Sequence, residues 1–441
     1  MIKQAGNTAR GLALAVAAFS AIAPIASRGA GSEGEQIAEL KQKLDQSLKM
    51  IEALTARVRQ LEAAQPASTP TAAATAVPAD AQRIETVENR VAQMEASNAA
   101  RGGDSSSLPM HGFADVGVAN HNPWNPDLKG YYVGDLDFYL TPRLGTHTKA
   151  LFELNFETDT DGSIGVDLER AQIGYSFSDA ATVWLGRFHT PFGYMNTALH
   201  HGSWIANALR RPAFLNFEDH DGILPVHTVG AWLTGAAHGE GGKLLYDVYM
   251  GNGQRISGGV IDMRNAGNDH GQLIAGGRLG YQWTEGAAEG LQFGLHGFSS
   301  KIGDDQVPEH NTQLRVVGGY GVYDTDRWEH IFEIYLFDNK DVSGNGGTHK
   351  STAGFAQFAY RAPFGVPYLR YERASLQQAD QYFAQQAFGA SYWRAAIGIR
   401  FDIDPKSALK LELANTHVTD QTPNQIQREY DDALAQYAIR F

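Results

Sequence analysis

Between residues 108 and 441 the chain is written in a period of two. From Lys149 to Glu157, Phe152, Leu154 and Phe156 alternate with Glu153, Asn155 and Glu157. From Trp393 to Asp402, Trp393, Ala395, Ile397, Ile399 and Phe401 alternate with a set holding Arg394, Arg400 and Asp402. Leucines alternate with Lys410 and Glu412, and near the end Tyr437, Ile439 and Phe441 alternate with Gln436 and Arg440. Successive side chains of a strand point to opposite faces, so this pattern is a strand with one apolar and one hydrated face. Sixteen such segments are predicted, near 110–119, 131–144, 147–158, 166–178, 181–191, 227–238, 243–252, 271–283, 290–301, 312–324, 327–339, 349–361, 366–376, 391–403, 407–418 and 431–441.

A soluble sandwich would also alternate. Strand length and the spacing of connections favour a membrane barrel instead. The segments cover the roughly 9–11 residues that a tilted strand needs to cross a bilayer. Some connections are very short (Asp179-Ala180, Asp324-Thr-Asp326, Asp404-Pro-Lys406) and others long and polar. Aromatics near strand ends are candidates for interfacial girdles: Tyr131, Tyr132, Trp184, Trp283, Trp328, Tyr392 and Trp393. No blade-length repeat supports a propeller. A hydrophobic content of 43% is ordinary for a soluble protein but does not exclude a membrane barrel, whose average hides the alternation. The expected fold is an all-β, sixteen-stranded antiparallel transmembrane barrel over 108–441, preceded by an α-helical coiled coil.

The first hundred residues differ in texture. Lys3 and Arg10 precede the small and apolar run Gly11 to Ala23, the pattern of an export signal over 1–30. Over 31–65, Ile37, Leu44, Ile51 and Val58 fall at heptad a positions and Leu40, Ser47, Leu54 and Leu61 at d, which predicts a coiled coil, with a single amphipathic helix as the alternative. Residues 66–107 read as a flexible Ala/Pro/Thr-rich linker with a short second helix carrying Ile84, Val87, Val91 and Met94. Absence of cysteine excludes disulfides and thiolate chemistry, and a net charge of −13 argues against a nucleic-acid partner.

Three features together resemble bacterial outer-membrane porins: the export signal, the closing strand Ala433-Leu-Ala-Gln-Tyr-Ala-Ile-Arg-Phe441, and Trp184-Leu-Gly-Arg-Phe-His-Thr-Pro-Phe-Gly193. The terminal aromatic is similar to the signal that barrel-assembly machinery reads. The piece Gly-Arg-Phe-x-x-Pro-Phe-Gly is similar to the strand that enters the constriction loop of phosphate-selective-type porins. The coiled coil is similar to the periplasmic extension of some porins. The resemblance implies an outer-membrane channel, passive diffusion of small hydrophilic solutes or ions, and an inward loop that narrows a water-filled barrel. It also implies a homotrimer in outer-membrane lipid, with a periplasmic coiled coil that contacts peptidoglycan or joins protomers. The chain departs from the phosphate-selective type in having no lysine between Lys149 and Lys243.

The segment 193–225 exceeds an ordinary hairpin connection, and its Trp204, Ile205, Leu209, Phe214, Leu215 and Phe217 need something to pack against. As a constriction, it would send Arg210, Arg211, Glu218, Asp219 and Asp221 to the aqueous path, where opposed charges create a transverse field. An external lid or a protomer contact is the alternative. Strand parity adds Asp135, Asp137, Glu153, Glu157, Arg170, Arg187, Arg370, Glu372, Arg394 and Arg400 to the lumen side, because an arginine facing lipid at midplane costs about 2–4 kcal/mol. His200 and His201 complete the expected pore lining. Two chemical readings compete. His201-Gly-Ser203 with Asn196 or Asn207 has the composition of a nucleophile and its base, as in an outer-membrane hydrolase. His189, His200, His201, His220 and His227 with Glu218, Asp219 and Asp221 could bind zinc or copper, but no spacing matches a known ligand set. Histidines hydrogen-bonded within a folded loop are expected instead, with no catalytic group, metal or cofactor. A structural tether with a plugged barrel is the remaining alternative.

Overall fold

The computed structural model describes residues 110–120, 130–142, 144–158, 164–200, 203–216, 222–262, 272–305, 307–386, 389–419 and 429–441. The expected export signal, coiled coil and linker lie outside them, as do His201, Phe217, Glu218, Asp219, His220 and Asp221.

The strands are, in chain order, β1 (Met110–Ala119), β2 (Gly130–Leu140), β3 (Thr148–Thr158), β4 (Ile164–Ser178), β5 (Ala181–His189), β6 (His227–Gly239) and β7 (Gly242–Asn252). A small hairpin follows, β8 (Ile256–Ser257) and β9 (Val260–Ile261). Then come β10 (Leu273–Trp283), β11 (Leu291–Gly303), β12 (Asn311–Asp324), β13 (Trp328–Ser343) and β14 (Gly347–Tyr360). The series ends with β15 (Val366–Ser375), β16 (Tyr392–Asp404), β17 (Ser407–Val418) and β18 (Glu429–Arg440). All except β8 and β9 form one closed barrel, each strand antiparallel to its chain neighbours, with β1 paired to β18. Phe113 sits opposite Arg440, and Gly112 and Phe441 exchange backbone hydrogen bonds of 3.1 and 3.2 Å.

The sixteen barrel strands are the sixteen segments expected, with ends displaced by four residues at most. β2 stops at Leu140 rather than 144 because Pro142 follows and has no N–H for a ladder. The β8–β9 hairpin was not expected. Its turn is Gly258-Gly259, both with positive φ (62° and 84°), as a two-residue hairpin turn of the primed type requires.

Inside and outside follow from burial. On β13, Ile334 and Leu336 are exposed while Glu333, Tyr335 and Phe337 are buried. On β15, Leu369 and Tyr371 are exposed and Arg370 and Glu372 buried; on β17, Leu411 and Leu413 are exposed and Lys410 and Glu412 buried. This inverts the distribution of a water-soluble barrel and matches one whose outer face meets hydrocarbon. Adjacent residues cannot share a face, so one of each expected girdle pair turns inward. Tyr131 is 91% exposed, whereas Tyr132 packs beside Leu209 and Leu434. Tyr392 is buried and bonded to Glu372, which removes it from any girdle.

Connections at one rim are brief: 179–180, 240–241, 325–327 and 405–406. At the other rim, 190–226 joins β5 to β6 and 376–391 joins β15 to β16. Among the described residues, the first carries one α-helical turn, α1 (Met195–Ala198), and a 3-10 turn at Ala213–Leu215, and the second carries α2 (Gln381–Ala384).

Candidate functional site

The β5–β6 connection begins in the segment Gly186 to Gly193, and each of those glycines has a steric reason. Gly186 has φ 123°, and a Cβ there would run into the Ala171 carbonyl. Gly193 has φ 56°, and its Cβ would collide with the Glu333 carboxylate and the Tyr335 hydroxyl. Between them Phe188 and Phe192 are fully buried, Phe192 lying 5.4 Å from Phe298 and edge-on to Tyr335 at 6.0 Å. Met195, Ala213, Phe214, Leu215, Ile223, Leu224 and Val226 continue this apolar cluster against Tyr249, Val316, Phe337 and Phe355 of the wall.

Polar side chains of the strands hold the connection's backbone from several directions. Glu333 Oε1 accepts from the N–H groups of Tyr194 (3.0 Å) and Met195 (2.6 Å), and Tyr335 donates to its other oxygen. Arg278 donates to the Gly193 carbonyl (2.8 Å) and to Thr197 Oγ1 (2.6 Å) while pairing with Asp247 at 2.7 Å. Arg400 donates to the Trp204 carbonyl at 2.5 Å and stacks 4.8 Å from that indole. Asn207 donates to Glu329 (2.6 Å), Leu209 N–H to Tyr368 (3.1 Å), Ala213 N–H to Glu372 (2.5 Å) and Phe214 N–H to Tyr392 (3.0 Å). Buried backbone groups need such partners, and here the strands supply them through side chains.

At the centre of these contacts lie three arginines and three carboxylates. Arg210 Nε bonds Glu412 at 3.0 Å and its Nη2 bonds Asp432 at 3.1 Å. Arg394 lies 3.3 Å from Asp432, 3.5 Å from Glu412 and 3.7 Å from Glu372. Arg370 lies 3.5 Å from Glu372 and donates to the carbonyls of Arg210 and Arg211. Formal charges balance, which is the condition for burying such groups together.

A second cluster sits at the base of the connection. His189 ends β5, His227 begins β6, and the two are paired in register. His200 follows α1, and its ring stacks on His189 with centroids 3.6 Å apart. Glu169 Oε2 lies 2.7 Å from His227 Nε2. Glu153, with Arg170 bonded to it, lies 3.8 Å from His189.

The expected residues therefore divide. Arg210, Arg394, Arg370 and Glu372 meet in one cluster, and Glu153, Arg170, Arg187, His189, His200 and His227 in the other. Arg400 is separate, on Trp204 and Asp402. Asp137 is buried, Asp135 and Glu157 are half-buried, and Arg211 is half-buried with its carbonyl on Arg370. For the expected nucleophile, Ser203 is half-buried, Asn196 bonds His200 at 2.9 Å, and Asn207 is committed to Glu329. Glu333, Arg278, Glu412, Asp432 and Glu169 were missed as site residues. Parity places them on the same face as the expected ones, but only the connection's path makes them contacts.

No family model matches the chain, and no curated protein matches its sequence. Solved structures do match. An anion-selective porin from Comamonas acidovorans is 18% identical, with 76% of this chain and 98% of that one covered, at a TM-score of 0.50. A loop-deletion mutant of OmpT, an outer membrane protein of Vibrio cholerae, is 9% identical, with 77% and 100% covered, at 0.51. At these identities the likeness is one of fold: residues 110–441 adopt the closed sixteen-stranded antiparallel barrel of outer-membrane proteins of this kind.

Proposed function

We propose that this protein is an outer-membrane channel for passive diffusion of small hydrophilic solutes or ions, narrowed by the β5–β6 connection folded into its lumen. The observation that carries this reading is that charged side chains from β10, β13, β15, β16, β17 and β18 bond one connection, while those strands expose leucine or isoleucine on the opposite face. That strands spread along the arc from β10 to β18 bond one connection supports a path that divides the interior rather than lying over it. Solutes then pass a charged narrowing whose width is set by the side chains that hold it. We further propose a homotrimer in outer-membrane lipid, with the heptads of 31–65 in the periplasm, joining protomers or reaching peptidoglycan. The fold likeness to a protein described as an anion-selective porin supports a channel; the carboxylates among the inward charges leave the preferred ion to measurement.

Purified protein in a planar bilayer decides the matter. Stepwise conductance in multiples of three, with a reversal potential that responds to a salt gradient, is the expected result. A silent bilayer with folded protein overturns the reading, and ester hydrolysis by that silent protein would favour the hydrolase instead.

A further inference from the structure

We propose that Glu169, His189, His200 and His227 form a binding site for a divalent transition-metal ion of the zinc class, which staples the β5–β6 connection to the barrel wall. One ligand atom from each of the four residues falls in a group whose members all lie within 4.8 Å of one another. Zinc bonds of about 2.0–2.1 Å put tetrahedral ligand atoms roughly 3.4 Å apart, so small side-chain rotations close the set. All four residues are at most 5% exposed. Three imidazoles and one carboxylate suit zinc, nickel or copper and are too nitrogen-rich for calcium or magnesium.

The surroundings prepare the donors. Asn196 Nδ2 donates to the carbonyls of Thr190 (2.8 Å) and Val226 (3.2 Å), which fixes its amide so that Oδ1 faces His200 Nδ1 at 2.9 Å. A carbonyl oxygen only accepts, so the His200 proton sits on Nδ1 and the Nε2 lone pair is presented to the cluster. Outer partners of this kind orient metal-bound histidines. His227 requires one adjustment. Arg187 Nη2 lies 3.3 Å from its Nδ1, which puts the ring proton on Nε2 towards Glu169. Coordination through Nε2 needs the other tautomer, so Arg187 gives up that bond and keeps its 3.1 Å bond to the Glu169 carbonyl.

Access is provided for. A cavity of about 280 Å³, lined by Tyr139, Arg170, Thr197, Ala198 and Ile205 among others, reaches both His189 and His200. Glu157 and Asp167 stand beside Glu169 and raise the local concentration of cations. The four ligands come from β4, β5, β6 and the second residue beyond α1, so one ion ties a connection to three strands.

The test uses full-length protein folded in detergent, stripped with chelator, then dialysed against zinc and assayed for bound metal. One ion per chain is expected. Glu169→Gln and His200→Ala should abolish stoichiometric binding, Asn196→Ala should weaken it roughly ten- to a hundredfold, and His238→Ala, at an exposed site on β6, should leave it unchanged. Absence of stoichiometric uptake, or uptake indifferent to the His200 and Glu169 variants, overturns the proposal. Should those variants not fold, the cobalt-loaded parent decides: intense visible absorption of a four- or five-coordinate ion supports the site, and the weak spectrum of a hydrated octahedral ion overturns it. Neither readout involves a bilayer, so failure of the channel reading and failure of the metal site are separable.

Discussion

Gly193 shows how one residue sets the course of the connection. Its φ of 56° and the closeness of Glu333 and Tyr335 both exclude a side chain. The left-handed conformation alone costs an L-residue roughly 1–2 kcal/mol. Gly193→Ala should therefore destabilise by at least about that amount, read as a lower thermal midpoint, and should loosen the Glu333 contacts with Tyr194 and Met195. An unchanged midpoint would show that the turn relaxes without cost. Arg210 makes the opposite kind of contribution. It is one of three cations balancing Glu372, Glu412 and Asp432, and it bonds two of them. Breaking a buried pair by removing one partner typically costs about 3–5 kcal/mol. Arg210→Ala should lower stability on that scale and leave the cluster one charge more negative, moving the reversal potential towards cations. A midpoint loss without that shift would mean that Arg210 is only a brace. The sequence marked both residues for different reasons than these. Gly193 belonged to a motif, and its partner Glu333 lies 140 positions away; Arg210 was expected in the aqueous path, and its partner Glu412 lies 202 positions away.

At the scale of elements, the strands were readable because alternation is local: nine or more residues carry it without reference to anything else. The connections were not, because their path depends on which strand faces come within reach. α2 illustrates this. Asp380 caps it by accepting from Tyr382 N–H at 3.0 Å and also accepts from Asn339 at 2.8 Å, while Tyr382 donates to the Ile223 carbonyl at 2.6 Å. The β15–β16 connection thus packs against the β5–β6 connection. Burial pushes the Asp380 carboxyl above its ordinary value of 3.8, outweighing the opposing hydrogen bonds. The folded state then binds this proton more tightly than the unfolded chain. Its contribution is favourable at acid pH and is lost as pH rises through the raised value. Hydrogen exchange at residues 380–386 should accordingly slow as pH is lowered towards that range, after correction for intrinsic rates. Asp380→Asn should flatten the dependence; an equal dependence in the variant would assign it to another group.

For the whole molecule, the decisive property is which face of the cylinder carries charge. Ile334 and Leu336 lie in the middle of β13 and point outward, with Glu333, Tyr335 and Phe337 inward. If the outer face meets hydrocarbon, Leu336→Arg should cost about 2–4 kcal/mol in a bilayer, measured by folding into vesicles. A negligible cost would place that position at a water interface. The histidine cluster belongs to this scale too. Its members are spread from 189 to 227 with no ligand spacing, yet His189 and His227 end strands that pair in register. The signal was present in the strand ends rather than in a motif. Finally, the ladder between β1 and β18 has a mechanical consequence. β1 begins and β18 ends at the same rim, where Phe113 faces Arg440 and Gly112 bonds Phe441. Tension applied between those two positions loads the seam from one end, so its hydrogen bonds part singly like the teeth of a zip. The cylinder is then soft to a pull at this junction and stiff to forces shared around the ring.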